Sequence, residues 1–413
     1  GVVNFNSGRT LTFSSINVNG TIGGIDTIIV SGSATFTGGG ISGSGPFNLL
    51  PGSVMDINGS GFTANKVVNN SGTLTWLQGS VFGSGPVNNN NVTNFSTTFT
   101  PTWNPVFNNN GTINKTTISS PFYSGGLNST GTININLGTL LLIPNSGTFS
   151  ISGVVNISSG AAISFGAGSG GSATQNVSAN MSGAGNVTAG LPTVNFTSNC
   201  VYNITGNTNV IFGSANFNSG ITLTNIGNFS CSGGTTNFSS GLTIGSIGSN
   251  LTIGAAGVVN FNTGKSYSFN NLDLAGTIAG TDSIFVSNSL TWTNGGISSS
   301  VFVLKSSASC TLNTTNGVFI TGKFINNGTF NWTASSISSS GTFLNNNIFN
   351  ISTPSTPSFS PLIINNGTIN KTTANITSIV NFFINNLIIN INKYRIFFVL
   401  NISLSLLCFA YNY

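Results

Sequence analysis

The sequence predicts an all-β protein that folds as a parallel β-solenoid, also called a β-helix, with rungs of about 20 residues. Three observations lead to this prediction. The composition is typical of strands and turns, an Asn-apolar motif returns at regular intervals, and a second repeat of 256 residues lies above the first. Since one rung cannot bury its apolar face alone, repeats of this size form a core only by stacking on their neighbours.

The composition favours strands and turns over helix. Charged residues make up 3% of the 413 residues, and Glu and His are absent. Val, Ile, Phe and Thr are typical of strands, and the 54 Gly are typical of turns. The hydrophobic content of 38%, with 32 Phe, argues against a disordered polar chain.

The shorter repeat consists of an Asn followed by an apolar residue. Successive copies recur about 20 residues apart, which is the length of one β-helix rung. The patterns of leucine-rich repeats and of β-propellers are missing. The motif occurs at Asn156, Asn176, Asn195, Asn216, Asn237 and Asn260.

The longer repeat divides the chain into modules. GVVNFNSG at Gly1–Gly8 returns as GVVNFNTG at Gly257–Gly264, and further blocks return at the same offset of 256 residues. We therefore predict a first β-solenoid module at 1–256 and a partial second copy at 257–377.

Within the rungs, apolar and polar residues alternate, as in Thr73–Trp76. A period of two points one face inward and the other toward solvent. Asn-Gly pairs such as Asn110-Gly111 and Asn366-Gly367 are interpreted as corners with positive φ. We expect Asn at one corner to form a hydrogen bond with Asn of the next rung, as in the ladders of cross-β structures.

Several strings of the repeats resemble the β-helix adhesins of the filamentous-haemagglutinin and autotransporter type, over about residues 1 to 377. This resemblance implies an extracellular or cell-surface rod with an adhesive or structural function. It also implies glycans, or matrix and cell-surface proteins, as partners. The strings are TWTNGGIS at Thr291–Ser298, NNSGTLTW at Asn69–Trp76, SGAGNVT at Ser182–Thr188 and SGGTTNFSSG at Ser232–Gly241.

The alternative function is a carbohydrate-active β-helix enzyme, a polysaccharide lyase or hydrolase. Such chemistry needs clustered carboxylates, often with a basic residue or bound calcium. The only acids are Asp26, Asp56, Asp273 and Asp282, and Asp26 and Asp282 are equivalent across the long repeat, so they cannot share a site. We therefore predict no enzymatic activity, no catalytic residue, no cofactor and no metal site. Asp26 and Asp282 are interpreted as turn caps.

Aromatic residues are the candidates for binding. Trp76, Trp292 and Trp332 lie beside polar residues in the sequence, and an exposed Trp could stack on a sugar. The alternative is that each fills the core. The nine Lys and Arg residues are spread singly, which predicts no nucleic-acid partner.

Asn-x-Ser/Thr sequons are numerous, and in a secretory pathway some would carry glycans. The candidates for glycosylation are Asn19, Asn91, Asn110, Asn114, Asn156, Asn203, Asn331 and Asn370. The four cysteines show no metal or disulfide spacing, so each is interpreted as buried and unpaired. They are Cys200, Cys231, Cys310 and Cys408.

The composition changes at 378–413, where glycine disappears. The segment 396–410 is apolar and follows Lys393 and Arg395. A spanning helix needs about 20 apolar residues, so this segment is short. Three interpretations remain open: a membrane anchor, a removed lipid-anchor signal, or a non-native end of the sequence. Contact with a membrane is predicted only through 396–410.

Overall fold

The fold is given by a computed structural model. Within the described residues the regular elements are β-strands paired in parallel, with rungs about 20 residues apart, so the predicted parallel β-solenoid is confirmed. The structure describes residues 1–143, 149–166, 174–314, 316–338, 340–353 and 357–373, and after these the backbone of the strands at 377–379, 383–385, 389–391, 397–399 and 409–410.

The strands are mostly three or four residues long, with longer ones near the start of each sequence repeat. Up to Gly227 they are β1 Val2–Phe5, β2 Thr10–Gly24, β3 Thr27–Ile41, β4 Phe47–Leu49, β5 Val54–Ala64, β6 Val68–Asn70, β7 Thr73–Phe82, β8 Val87–Asn89, β9 Val92–Phe95, β10 Thr102–Trp103, β11 Phe107–Asn109, β12 Thr112–Lys115, β13 Phe122–Tyr123, β14 Leu127–Ser129, β15 Thr132–Ile135, β16 Thr139–Leu142, β17 Phe149–Ile151, β18 Val154–Ile157, β19 Ala162–Phe165, β20 Thr174–Val177, β21 Asn180–Gly183, β22 Asn186–Ala189, β23 Thr193–Phe196, β24 Val201–Ile204, β25 Asn207–Val210, β26 Ser214–Phe217 and β27 Thr222–Asn225.

The strands that follow are β28 Asn228–Phe238, β29 Thr243–Ser246, β30 Asn250–Phe261, β31 Ser266–Leu274, β32 Thr277–Trp292, β33 Gly296–Leu304, β34 Ser309–Leu312, β35 Val318–Ile320, β36 Lys323–Asn326, β37 Thr329–Trp332, β38 Ile337–Ser338, β39 Thr342–Asn345, β40 Ile348–Ile351, β41 Ser358–Phe359, β42 Leu362–Asn365, β43 Thr368–Lys371, β44 Thr377–Ile379, β45 Phe383–Asn385, β46 Ile389–Ile391, β47 Phe397–Val399 and β48 Phe409–Ala410.

The chain divides into two compact units. The first comprises Gly1–Gly227 with Thr243–Ser246, and the second comprises Asn228–Leu242 with Ile247–Tyr413. This division falls before residue 256 because β28 forms a long parallel ladder with β30 of the second unit. The module boundary at 256/257 is a property of the sequence repeat, and it stays a prediction.

Each turn of the solenoid contains three strands over much of both units. From β8 to β24, and again from β34 to β44, every strand pairs with the third strand after it. In the first unit Ile113 lies opposite Ile133, and in the second unit Phe330 lies opposite Phe349. Equivalent residues of successive rungs therefore stack directly on one another.

The core of each unit is built from these inward stacks. In the second unit, five buried phenylalanines have neighbouring ring centroids 5.0–5.8 Å apart. Aromatic rings at such distances stabilise beyond the area that they bury. The five are Phe324, Phe330, Phe343, Phe349 and Phe359.

The Asn-Gly corners differ from the prediction in their backbone conformation. Neither Gly111 nor Gly367 is among the residues with positive φ. Instead, a Cβ on Gly111 would lie 2.0 Å from the carbonyl oxygen of Asn91, and one on Gly367 would lie 2.2 Å from that of Asn347. Glycine is needed there because the backbone of one rung passes closely over the previous one.

The segment predicted as a separate tail contains short strands that continue the parallel pairing. Ile389 lies opposite Ile369, and Phe409 lies opposite Ile389. Much of 396–410 lies outside the described residues, so its role as an anchor stays a prediction. In the part of the chain that the structure describes, no helix has the length and apolar character needed to cross a membrane.

We expect Gly111→Ala to lower the free energy of unfolding by about 1–3 kcal/mol, because the new methyl group forces two rungs apart. Gly61→Ala is the matched control, since its Cβ would meet its nearest atom at an ordinary 3.6 Å. Urea unfolding followed by circular dichroism measures both. Equal stability of the two variants would contradict the close-packed corner.

Candidate functional site

The three candidate tryptophans lie in the core, so the prediction of exposed binding residues is wrong. Each side chain is 0% exposed. Each occupies an inward position of its strand, where the alternation of the strand and the stack of rungs enclose it. The indole N–H groups donate to backbone carbonyls two or three residues later, at 2.7 Å for Trp76 and Gly79, 2.9 Å for Trp292 and Asn294, and 2.8 Å for Trp332 and Ser335.

The outward positions carry ladders of amide side chains instead. On β12, β15 and β18, each Asn donates from Nδ2 to Oδ1 of the Asn one rung earlier, at 2.9–3.1 Å, and the series ends at Asn94 on β9. The outward residues two positions before them include Thr112 and Thr132. We call this surface the amide face; its amides are Asn94, Asn114, Asn134 and Asn156.

A second outward ladder lies on β4, β6, β8, β11 and β14. Its Nδ2–Oδ1 distances are 2.8–3.0 Å, and it comprises Asn48, Asn69, Asn88, Asn108 and Asn128. The predicted pairing of corner amides is also present, for example between Asn110 and Asn90 at 3.2 Å. The second unit has a ladder equivalent to the amide face, at Asn331, Asn350 and Asn370.

A buried amide ladder was not predicted from the sequence. Asn70, Asn89 and Asn109 are 0% exposed. Asn70 donates from Nδ2 to Oδ1 of Asn89 at 2.7 Å, and Asn89 donates to Asn109 in the same way. Asn70 Nδ2 also donates to the carbonyl of Val92, while its Oδ1 accepts from the N–H of Gly72. The same arrangement returns in the second unit, at the equivalent positions Asn326, Asn345 and Asn365.

The sequons lie on outward surfaces. Asn19, Asn91, Asn110 and Asn156 are exposed, and Asn114, Asn203, Asn331 and Asn370 are half-buried. Asn114 and Asn370 use Nδ2, the atom that would carry a glycan, in the outward ladders. In the exposed set Asn91, Asn110 and Asn156 also donate from Nδ2. Glycosylation stays a prediction.

Asp26 joins two rungs. Its carboxylate accepts hydrogen bonds from Ser7 Oγ and from the N–H of Gly8, both at 2.7 Å, and from the N–H of Arg9 at 3.3 Å. Burial by itself raises the pKa of Asp26, but these hydrogen bonds more than offset it, so the pKa lies below its ordinary value. Asp282 accepts from Thr263 and Gly264 in the equivalent turn. Both acids therefore cap turns, as the sequence predicted.

The other two acids stand apart from these. Asp56 is half-buried and Asp273 is exposed. Among the described residues, no three His, Cys, Asp or Glu side chains lie close enough together to hold a metal ion.

Two buried lysines occupy equivalent inward positions. Lys115 lies in the stack between Phe95 and Ile135 and is 0% exposed. Its Nζ donates to the backbone oxygens of Thr117 and Leu137. Burial lowers the pKa of Lys115 to about 8. Lys371 is 1% exposed and donates to Thr373.

Three cysteines are buried free thiols, as predicted: Cys200, Cys231 and Cys310. Burial raises the pKa of Cys200 to about 12 and also raises those of Cys231 and Cys310. The reactive thiolate is therefore disfavoured at neutral pH. Cys408 lies outside the described residues.

No family model, no curated protein and no solved structure matches this chain. The resemblance to β-helix adhesins therefore rests on the fold and on the strings of the repeats.

We expect Asn89→Ala to cost about 2–4 kcal/mol of unfolding free energy, because it removes the hydrogen bonds that Asn89 forms in the core with Asn70 Nδ2 and Asn109 Oδ1. Asn88→Ala removes a step of the neighbouring outward ladder, where water can replace the amide, and should cost less than about 1 kcal/mol. Urea unfolding of both variants is the measurement. Equal losses of unfolding free energy in the two variants would show that burial of the inner ladder adds nothing to its contribution to stability.

The contribution of Lys115 to stability should rise with pH. Its folded pKa of about 8 lies below the ordinary value of 10.5, so the unfolded chain binds more protons between these values. The penalty for burying the charge is complete below pH 8 and disappears as pH rises toward 10.5. Lys115→Met should remove this gain, measured as the wild-type minus variant difference in unfolding free energy from pH 7 to pH 10. A difference independent of pH would contradict it.

Proposed function

We propose that this chain is a non-enzymatic β-solenoid that acts outside the cell or at its surface as an adhesin-like or structural protein. The observation that carries the proposal is the amide face. Its outward residues are neutral: four stacked amides, the hydroxyls of Thr112 and Thr132 beside two of them, and Val92 and Val154 beside the other two.

The chemistry of this face fits ligands rich in hydroxyl groups. An amide whose Nδ2 donates one hydrogen bond along the ladder keeps a second N–H, and its oxygen keeps a second lone pair. The hydroxyls of Thr112 and Thr132 add further donors and acceptors. Since these groups are already aligned, a glycan would order few side chains on binding, which favours affinity.

The positions of the acids support a non-enzymatic role. Asp26 is 1% exposed and Asp282 is 2% exposed. Both accept hydrogen bonds from turn residues. A glycosidase would need two carboxyl groups facing one another across a substrate.

The adhesive part is tested with the full-length chain on an array of immobilised glycans and matrix proteins. We expect retention by at least one ligand, and a loss of at least tenfold in affinity for Asn134→Lys, which places a charge on the amide face. Asn108→Lys is the matched control, because it makes the same change on the second outward ladder. If the wild-type chain binds no ligand on the array, the adhesive role is contradicted and only the structural role remains.

The non-enzymatic part is tested with a panel of soluble polysaccharides. We expect no release of reducing ends or unsaturated products from any of them. Turnover that is lost in Asp26→Asn or Asp282→Asn would contradict the proposal and favour the carbohydrate-active alternative. Surface labelling of intact cells tests the location.

A further inference from the structure

Three exposed apolar side chains, here called the apolar corner, follow the amide face on successive rungs. Phe99, Ile118 and Leu137 lie in the turns after β9, β12 and β15 and are 56%, 78% and 40% exposed. A Cβ on Gly138 would lie 2.6 Å from the carbonyl oxygen of Ile118, so these turns pass closely over one another. Contiguous exposed apolar side chains are a common sign of an interaction site.

Hydroxyl groups connect the amide face with the apolar corner. Ser96 and Thr116 are the next outward residues after Asn94 and Asn114, and their hydroxyl oxygens are 3.1 Å apart. From these hydroxyls the chain reaches the apolar corner within three residues. Amides, hydroxyls and apolar side chains therefore follow one another across the same rungs.

This surface is uncharged. Between Lys66 and Lys265 the only charged residue of the sequence is Lys115. Lys115 is 0% exposed, and its Nζ donates to the carbonyl of Leu137. A carboxylated or sulfated glycan gains most from charge-assisted hydrogen bonds with accessible cations, which these rungs do not offer. The surface therefore fits a neutral ligand.

The distance between rungs is close to the length of one sugar unit. Successive amides of the amide face lie one strand spacing apart, about 4.8 Å. In an extended chain of equatorially linked pyranoses, each ring advances by nearly this length. Such rings carry hydroxyl groups at their edges and C–H groups on their faces. The edges match amides and hydroxyls, and the faces match an aromatic or aliphatic side chain.

The second unit has an equivalent amide ladder with different neighbours in the sequence. Its amides are paired in the same way, with Nδ2–Oδ1 distances of 2.8–3.0 Å. In the long repeat, Phe99 and Ile118 correspond to Ser355 and Ala374, which lie outside the described residues. The chain thus contains one amide ladder with large apolar residues at these sequence positions and one with small residues.

We propose that the amide face and the apolar corner together bind a neutral, linear polysaccharide of equatorially linked pyranoses, which lies along the direction in which the rungs stack. This inference rests on the adhesive role proposed above and names its ligand. The stacked amides and the hydroxyls of Ser96 and Thr116 bind the edge hydroxyls of successive sugars. Phe99 and Ile118 pack against the C–H faces, so this ladder binds the polysaccharide and the ladder of the second unit does not.

The test is isothermal titration calorimetry of the full-length chain with cellotetraose and chitotetraose, which gives both the affinity and the number of sites. Four sugars match the four rungs of the amide face. The double variant Phe99→Ser/Ile118→Ala introduces the residues that the long repeat has at these positions. The matched control is Ile211→Ala/Phe212→Ser, since these residues are 39% and 45% exposed in the turn after β25. Circular dichroism verifies that both variants fold.

We expect one site per chain, with the affinity at least tenfold lower in Phe99→Ser/Ile118→Ala and unchanged in the control variant. Two further tetrasaccharides test the class of ligand. Tetramannuronate has the same extended chain with carboxylates, and isomaltotetraose is neutral but has a flexible chain. Both should bind at least tenfold more weakly than cellotetraose.

Three outcomes would overturn the inference. Wild-type affinity in Phe99→Ser/Ile118→Ala, or two sites per chain, would show that the amides bind without the apolar corner. Failure to bind either neutral tetrasaccharide, in a chain that is retained by another glycan or a matrix protein on the array, would assign the ligand to a different class. In both cases the adhesive role stands. A chain that binds neither tetrasaccharide and nothing on the array contradicts the inference and the adhesive role together.

Discussion

Parallel stacking in register is the constraint on which the rest of this structure depends. Neighbouring strands lie about 4.8 Å apart, so each side chain has an equivalent side chain directly above and below it. A residue type at an outward position must therefore be compatible with the same residue type in contact with it on the rungs above and below. Like charges placed opposite one another destabilise a sheet, whereas an amide is both donor and acceptor and pairs with another amide. This accounts for the many Asn residues and for a charged content of only 3%.

The few charged residues inside the stacks follow the same constraint. Lys115 has Phe95 below it and Ile135 above it, so no second ammonium lies next to it. Its charge is satisfied by backbone oxygens at the following corner. Asp26 is satisfied by the turn of the previous rung. Both charges are bound by main-chain groups, which offset part of the cost of removing a charge from water.

The fold could be predicted from the sequence because the rung period and the alternation along each strand together determine which atoms stack. The same alternation in Thr73–Trp76 places Trp76 on the side of Leu74, so the burial of this tryptophan could have been inferred. The buried amides were harder to predict. Asn69 and Asn70 are adjacent and of the same residue type. Only the phase of the inward–outward alternation along the strand decides which of them faces outward. Gly111 was interpreted as a turn residue with positive φ. The contact that requires glycine is made with the backbone of Asn91 on the previous rung, so it could not be seen in the local sequence.

The two amide ladders at 69–70, 88–89 and 108–109 donate in opposite directions along the chain. On the inside, Asn70 donates to Asn89 of the next rung; on the outside, Asn88 donates back to Asn69. A finished rung thus offers the next one a donor inside and an acceptor outside. The alignment of the rungs is specified because a slip of one residue exchanges the inward and outward faces and would bury residues that face solvent. Each Asn-Asn pair therefore favours one register of the rung that stacks on it, because only that register completes both ladders.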